Sequence, residues 1–241
     1  MIEKFEKLQL IWLAVILAFG FVIGAKTITS SMSKDTIYVT GSAYKIVKSD
    51  SARLEFNINV RKPNKALAYT EVQKQIPVVF AYLENKGIST ENIEQKTSNG
   101  YNSYKYDSRG NNTNEIAFYN LSQPFVIKSN DVMKIKEIST DIESLMDKGI
   151  DVNVYSPEYY YSGLSGLKVQ LLQDATKDAK QRAAAMLKAT HNKPGKIQSV
   201  QMGVFQITPV DSTNVSDMGI SDTTTIDKKI TAVANIRFQI K

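Results

Sequence analysis

From Leu10 to Ala25 the chain reads LIWLAVILAFGFVIGA, without a charge or a strongly polar side chain. A backbone in hydrocarbon has no water to bond to, so a run of this kind is satisfied there only as a helix. A core helix of a soluble domain keeps a polar face, and this run has none. With Leu8 and Gln9 it reaches about eighteen residues, roughly 27 Å of helix, near the lower limit for a span. Lys4 and Lys7 precede it, and positive charge on that side keeps the N-terminus cytoplasmic and sends the remainder outward. Ile23-Gly24-Ala25 before Lys26 lacks the small pair of a signal-peptidase site. The reading is a cytoplasmic N-terminus at 1–7, a transmembrane anchor or signal segment at 8–25, a polar linker at 26–35 and an exported body at 36–241.

Cysteine is absent from the 241 residues, which removes disulfides, a thiol nucleophile and thiolate metal sites. The 30 basic and 24 acidic residues give a net charge of +6 but are interspersed without a polybasic block. A mixed solvated surface is expected, with no nucleic-acid partner.

In the body, Ala52, Leu54, Phe56, Ile58 and Val60 alternate with polar residues, the pattern of a half-buried antiparallel strand. A strand containing Ile37 and Val39 precedes it, with a turn at Lys48-Ser49-Asp50. Pro63 opens a helix to about Lys86, with Tyr69, Val72, Ile76, Phe80 and Leu83 on its apolar side and Gly87 as its stop; Pro77 inside it predicts a kink or a break. Strands at about 93–106 and 115–128 follow, joined by the turn-forming DSRGNNTN. Asn130 is the expected cap of a helix to Lys148. Next come one strand over about 150–161 and a helix over about 164–190 bearing Leu164, Leu167, Leu171, Ala175, Ala179, Ala183 and Met186. Small residues on that stripe let the helix approach a sheet closely. Two strands, at about 196–208 and 229–241, are separated by a polar loop long enough to be functional or disordered.

Helix, strand, polar loop and return strand occur twice, over about 63–128 and 164–241, and the return strands end in Phe125-Val126-Ile127-Lys128 and Phe238-Gln239-Ile240-Lys241. The expected fold is α+β: two related α/β halves, antiparallel sheets with helices on one face, after one N-terminal transmembrane helix.

Several stretches are similar to the SIMPL-domain family of exported bacterial proteins. They are Val39-Thr40-Gly41-Ser42, the Asp50 turn, LENKGI from Leu83 to Ile88 followed by Glu91-Asn92-Ile93, Ser156-Pro157-Glu158-Tyr159-Tyr160-Tyr161, and the Ala175, Asp178-Ala179-Lys180, Arg182-Ala183 pattern. The resemblance spans about 37–241. It implies a periplasmic or cell-surface location and a loose link to envelope or oxidative stress, and it brings no catalytic residues.

No catalytic constellation emerges. His191, the only histidine, sits where a cation suits a helix C-terminus; a serine triad would also need it, yet no G-x-S-x-G elbow occurs. One histidine and no cysteine argue against a transition-metal site, and phosphate-binding glycine loops are missing. Asp141, Glu143, Asp147, Asp174 and Asp178 fall at helical spacing on polar faces, as solvated surface does. Tyrosine is the unusual feature: Tyr101, Tyr104, Tyr106, Tyr155, Tyr159, Tyr160 and Tyr161 form a candidate interaction surface, since tyrosine gives contact area at low entropic cost. The expectation is a non-enzymatic, membrane-tethered binding or assembly module of the cell envelope that forms homo-oligomers and needs no cofactor or metal. The alternatives are an envelope hydrolase using carboxylates and a binder of anionic lipid or polymer.

Overall fold

The computed structural model describes residues 12–26 and 35–241. Residues 12–26 are helical (α1). There follow β1 (Thr36–Lys48), β2 (Ser51–Lys62), α2 (Lys65–Asn85), β3 (Ile93–Gln95), β4 (Asn99–Tyr106), β5 (Asn112–Ser129), α3 (Val132–Asp141), β6 (Asp151–Val154), β7 (Glu158–Tyr160), α4 (Leu164–Lys188), β8 (Pro194–Met202), β9 (Gln206–Pro209), β10 (Ile220–Ser221) and β11 (Asp227–Ile240). The strands form a six-stranded sheet from β2 to β7 and a five-stranded sheet from β1 and β8 to β11. The fold is α+β. The pairings are antiparallel as expected, except that β10 lies parallel to β9.

Among the described residues no helix is long and apolar enough to cross a membrane. The 15 helical residues of α1 amount to about 22 Å. Leu8 to Ile11 of the expected anchor, and 27–34 of the linker, lie outside the described residues.

The chain forms two compact units, one from Met1–Ala43, Gln170–Val204 and Ala232–Lys241, the other from Tyr44–Val169 and Phe205–Thr231. In the second, β2 and β5 make an antiparallel spine from Ala52↔Ser129 to Lys62↔Tyr119. β6 and β7 pair with the other edge of β2, and β3 and β4 with the other edge of β5. Alternation then sorts the faces. Leu54, Phe56 and Ile58 of β2 are buried with Val72, Val79 and Leu83 of α2 and Ile135 and Ile138 of α3. Phe56 stacks on Phe125 at 5.3 Å between centroids, and Phe80 meets Phe125 edge-on at 6.2 Å.

Local chemistry explains several departures from expectation. α2 is capped by Asn64, whose Oδ1 accepts from the Leu67 N–H at 2.9 Å, and it runs through Pro77 as one helix. Pro77 and Gln73, the residue whose carbonyl loses its partner, are both exposed, so the missing bond falls on the solvent side of the helix. Tyr69 is 56% exposed; Ala68 and Val79 take the inward positions instead. The cap of α3 is Asp131, not Asn130: its Oδ1 accepts from the Lys134 N–H at 3.0 Å, and the helix tightens into a 3₁₀ turn over Ile142–Lys148 before Gly149 at φ 76°. The single strand expected over 150–161 is two, β6 and β7, parted at Tyr155-Ser156-Pro157, where proline has no N–H for a ladder.

The long loop before β11 is pinned. Lys229 Nζ donates to the Ser212 carbonyl at 2.5 Å, and the Gln206 side chain bonds both backbone groups of Ser216. Lys228 and Asp222 form an ion pair at 3.4 Å with side chains only 3% and 7% exposed. Burial alone would raise the Asp222 carboxyl, but donors from Thr225 and Thr224 and the Lys228 ammonium outweigh it and hold it at about 2. Burial pushes Lys228 down, against the attraction of Asp222. The carboxylate has several donors around it, whereas the ammonium is almost wholly desolvated.

In the first unit, Ala175, Ala179 and Ala183 of α4 pack with Val39, Ala234, Ile236 and Phe238. Met186, expected on this stripe, is 59% exposed, and Leu187 is buried in its place. Gly41 is where the approach is closest: a Cβ there would overlap the Ala175 carbonyl oxygen and the Ala179 nitrogen. β8 pairs antiparallel with β11 from Ala234↔Met202 to Ile240↔Pro194. His191 is exposed, has φ 61°, and its N–H bonds the Lys188 carbonyl at 3.2 Å. It ends α4 in the left-handed conformation usually left to glycine.

Candidate functional site

One face of the six-stranded sheet lies against α2 and α3; the opposite face carries the alternate residues of β2, namely Arg53, Glu55, Asn57, Asn59 and Arg61. Pairing aligns them in rows across the strands. Tyr101, Asn120 and Arg61 lie abreast, as do Asn99, Ser122, Asn59 and Asp151, and then Pro124, Asn57 and Asn153. Directly paired residues share a face, so these side chains make a polar grid with strands roughly 4.8 Å apart.

A depression of about 580 Å³ opens in this grid, lined by Asn59, Arg61, Tyr101, Asn120, Ser122, Asp151 and Asn153 together with Val60 and Leu121. In the adjacent row, the Asn57 Nδ2 donates to Asn59 Oδ1 at 2.8 Å and to Ser122 Oγ at 2.7 Å, while Asn57 Oδ1 is buried without a partner. Asn120 donates to Ser103 Oγ at 2.8 Å and accepts from Arg61 Nε at 3.4 Å. The Arg61 guanidinium also lies over the Phe118 ring at 4.3 Å.

Further along the same face is an ionic network. Arg53 donates to Glu158 at 2.8 Å and to Glu55 at 2.6 Å; Lys96 reaches Glu55 at 3.3 Å, and the Tyr160 hydroxyl donates to Glu158 at 2.9 Å. The Arg53 and Tyr160 donors hold the Glu158 carboxyl below its ordinary range. Burial would raise Glu55, but Lys96 and Arg53 overcome it and lower it too. Arg53, Glu55, Tyr155, Ser156 and Glu158 surround a second depression of about 300 Å³.

The seven tyrosines divide. Tyr101, Tyr104 and Tyr106 are exposed on β4, which pairs with β5, whereas Tyr155 to Tyr161 belong to the segment flanking β2. Tyr155 is exposed; Tyr160 is exposed and tied to Glu158; Tyr161 is half-buried, its hydroxyl 2.7 Å from where a Cβ of Gly163 would be. Tyr159 is 5% exposed and part of the core, so it is unavailable as a contact. Sequence reasoning did not single out the amide grid. A signal existed: asparagine is depleted in strands, yet Asn57 and Asn59 occupy consecutive outward positions of the most regular strand.

Among the described residues no group of three or more His, Cys, Asp or Glu side chains is arranged to hold a metal. Asp174 pairs with Lys177 at 3.1 Å and Asp178 with Arg182 at 2.7 Å. Asp141 bonds Lys86 at 2.9 Å and the Tyr82 hydroxyl at 2.9 Å; Lys86 and then Tyr82 lower its carboxyl.

The SIMPL family profile, described as a protein of unknown function (DUF541), matches residues 37–238. The chain belongs to the SIMPL family. No curated protein matches it. In this SIMPL chain the resembling stretches have structural duties. Thr40 Oγ1 donates to Asn235 Oδ1 at 2.7 Å, Gly41 admits α4, and the Ser42 N–H donates to Asp178 Oδ2 at 2.8 Å. The Asp50 carboxylate accepts from the Ser162 N–H at 2.8 Å and its hydroxyl at 2.6 Å. These residues build the frame.

Proposed function

We propose that this SIMPL protein is a membrane-tethered, exported, non-enzymatic binding and assembly module of the cell envelope. The observation that carries the reading is the open face of the six-stranded sheet, a polar surface with two depressions and exposed tyrosines at its flank. Ligand sites are concave places with a few convergent polar groups. Tethering is supported by α1, whose Trp12, Leu13, Ile16, Leu17, Phe19 and Phe21 are all more than half exposed, an apolar surface that requires cover. Assembly is supported by the distal part of the β4/β5 ribbon. There Asn112 to Phe118 of β5 pair with β4 alone, and a two-stranded ribbon is marginal without further packing. A binding rather than hydrolytic role is supported by carboxyl ionisation. Glu55, Asp107, Asp141, Glu158 and Asp222 all shift downward, whereas a general acid needs an upward shift.

The test has two parts on one membrane preparation. Protease added outside intact spheroplasts should digest the body, and mass measurement of detergent-extracted protein should find an intact Met1 in a defined multimer. A body digested only after lysis would refute export; a monomer at every concentration would refute assembly.

A further inference from the structure

We infer that the depression on the open sheet face is a binding site for an uncharged, polyhydroxylated oligosaccharide. This rests on the binding-module reading and names its ligand class.

The lining sets the chemistry. Asn59, Asn120 and Asn153 offer amides that both donate and accept, Ser122 offers a hydroxyl, and Asp151 and Arg61 contribute one charge of each sign. The formal charges cancel, so neither an anionic polymer nor a cation is favoured. β2 and β5 are both flanked by other strands here, so a peptide cannot enter by adding a strand. Recognition must go through side chains to a ligand dense in small groups that donate and accept together, which is the description of vicinal hydroxyls. Tyr101, 68% exposed on the neighbouring strand and abreast of Asn120, supplies a ring against which the C–H face of a sugar can lie.

A second observation points the same way. Asn57 is 9% exposed, and its Oδ1 lacks a donor although both hydrogens of its Nδ2 are used. Buried polar groups are nearly always partnered. The Asn59–Asn57–Ser122 network is therefore short of one donor, and two of its members line the depression. What the network lacks is a donor to Asn57 Oδ1, and a ligand hydroxyl admitted as Asn59 turns outward can donate that hydrogen while still accepting from another group. An ether or a carboxylate can only accept and leaves the shortage.

The experiment is titration calorimetry of full-length protein in a detergent without a sugar headgroup. The neutral probes are chitotetraose, cellotetraose and maltotetraose; heparin is the anionic comparison. Saturable binding of at least one neutral tetrasaccharide, weakened about tenfold by Asn59→Ala through loss of a hydrogen bond and several-fold by Tyr101→Ala, supports the site. Both positions are at the surface or half-buried, and an unchanged circular dichroism spectrum identifies folded variants. Asn153→Ala, at an exposed position on the outer strand, serves if Asn59→Ala misfolds. Binding of no neutral probe, binding indifferent to these substitutions, or salt-dependent binding of heparin alone would each overturn the inference. Export and multimer size, measured on the same preparation, tell its failure apart from that of the envelope-module reading.

Discussion

Two glycine-to-alanine substitutions should move stability in opposite directions, and the reason is purely local. At Gly41 an added Cβ would overlap two backbone atoms of α4, the Ala175 carbonyl oxygen and the Ala179 nitrogen. A flexible side chain could turn away, but helix backbone moves only if α4 withdraws from Val39, Ala234 and Ile236. Overpacking of this sort costs about 1–3 kcal/mol. At Gly166, inside α4, a Cβ meets nothing within 4 Å, and removing the backbone freedom of glycine within a helix gains about 0.5–1 kcal/mol. For a chain of this size 1 kcal/mol corresponds to about 2–4 °C. Gly41→Ala should therefore lower the melting temperature by roughly 2–12 °C and Gly166→Ala raise it by roughly 1–4 °C. Urea unfolding followed by circular dichroism supplies the free energies. A Gly41→Ala protein as stable as wild type would refute the close approach of α4, and with it the explanation of the Val39 to Ser42 signature.

Further outcomes follow from the buried and capping groups. Lys228→Met leaves Asp222 ionised, buried and without its cation, and should cost about 3–5 kcal/mol in urea; the double variant with Asp222→Asn should recover much of that loss. The Asp222 carboxyl is held at about 2, below its ordinary 3.8. The folded state thus binds this proton less readily than the unfolded one, and the resulting stability is present above pH 4 and lost as pH falls through 2. Urea midpoints measured from pH 6 to pH 2 should show a shallower acid limb in Asp222→Asn. Asn64→Ala removes the bond to the Leu67 N–H and should destabilise by about 1 kcal/mol, read by the same denaturation.

How much of this could be read from residues depended on whether the signal was local. The strict alternation from Ala52 to Val60 identified β2 and its buried face, because period two has one geometric meaning in a strand. The narrowing from Leu171 to Ala175, Ala179 and Ala183 announced a close helix–sheet contact, although Gly41 as its counterpart emerged only from the structure. What failed depended on partners distant in sequence. The Pro209 to Asp227 segment reads as loose polar chain, yet Lys228, Lys229 and Gln206 fasten it through bonds whose donors have no local pattern. Tyr159 looks like its neighbours Tyr160 and Tyr161; only the side of β7 facing the core separates them. The amide grid depends on register between β2, β5 and β6, which pattern alone leaves open.

The core of the first unit joins Val39 near its start to Ala234, Ile236 and Phe238 in β11, close to two hundred residues later. Its hydrophobic contacts thus close one of the longest loops the chain allows, a slow event for a growing or threading polypeptide. Until 232–240 arrive, the alanine stripe of α4 and the apolar side of β1 have no third wall. This core is thereby timed to form only after residues 232–238 are available, so a chain stalled or clipped before Ala232 would leave that stripe open to chaperones and proteases.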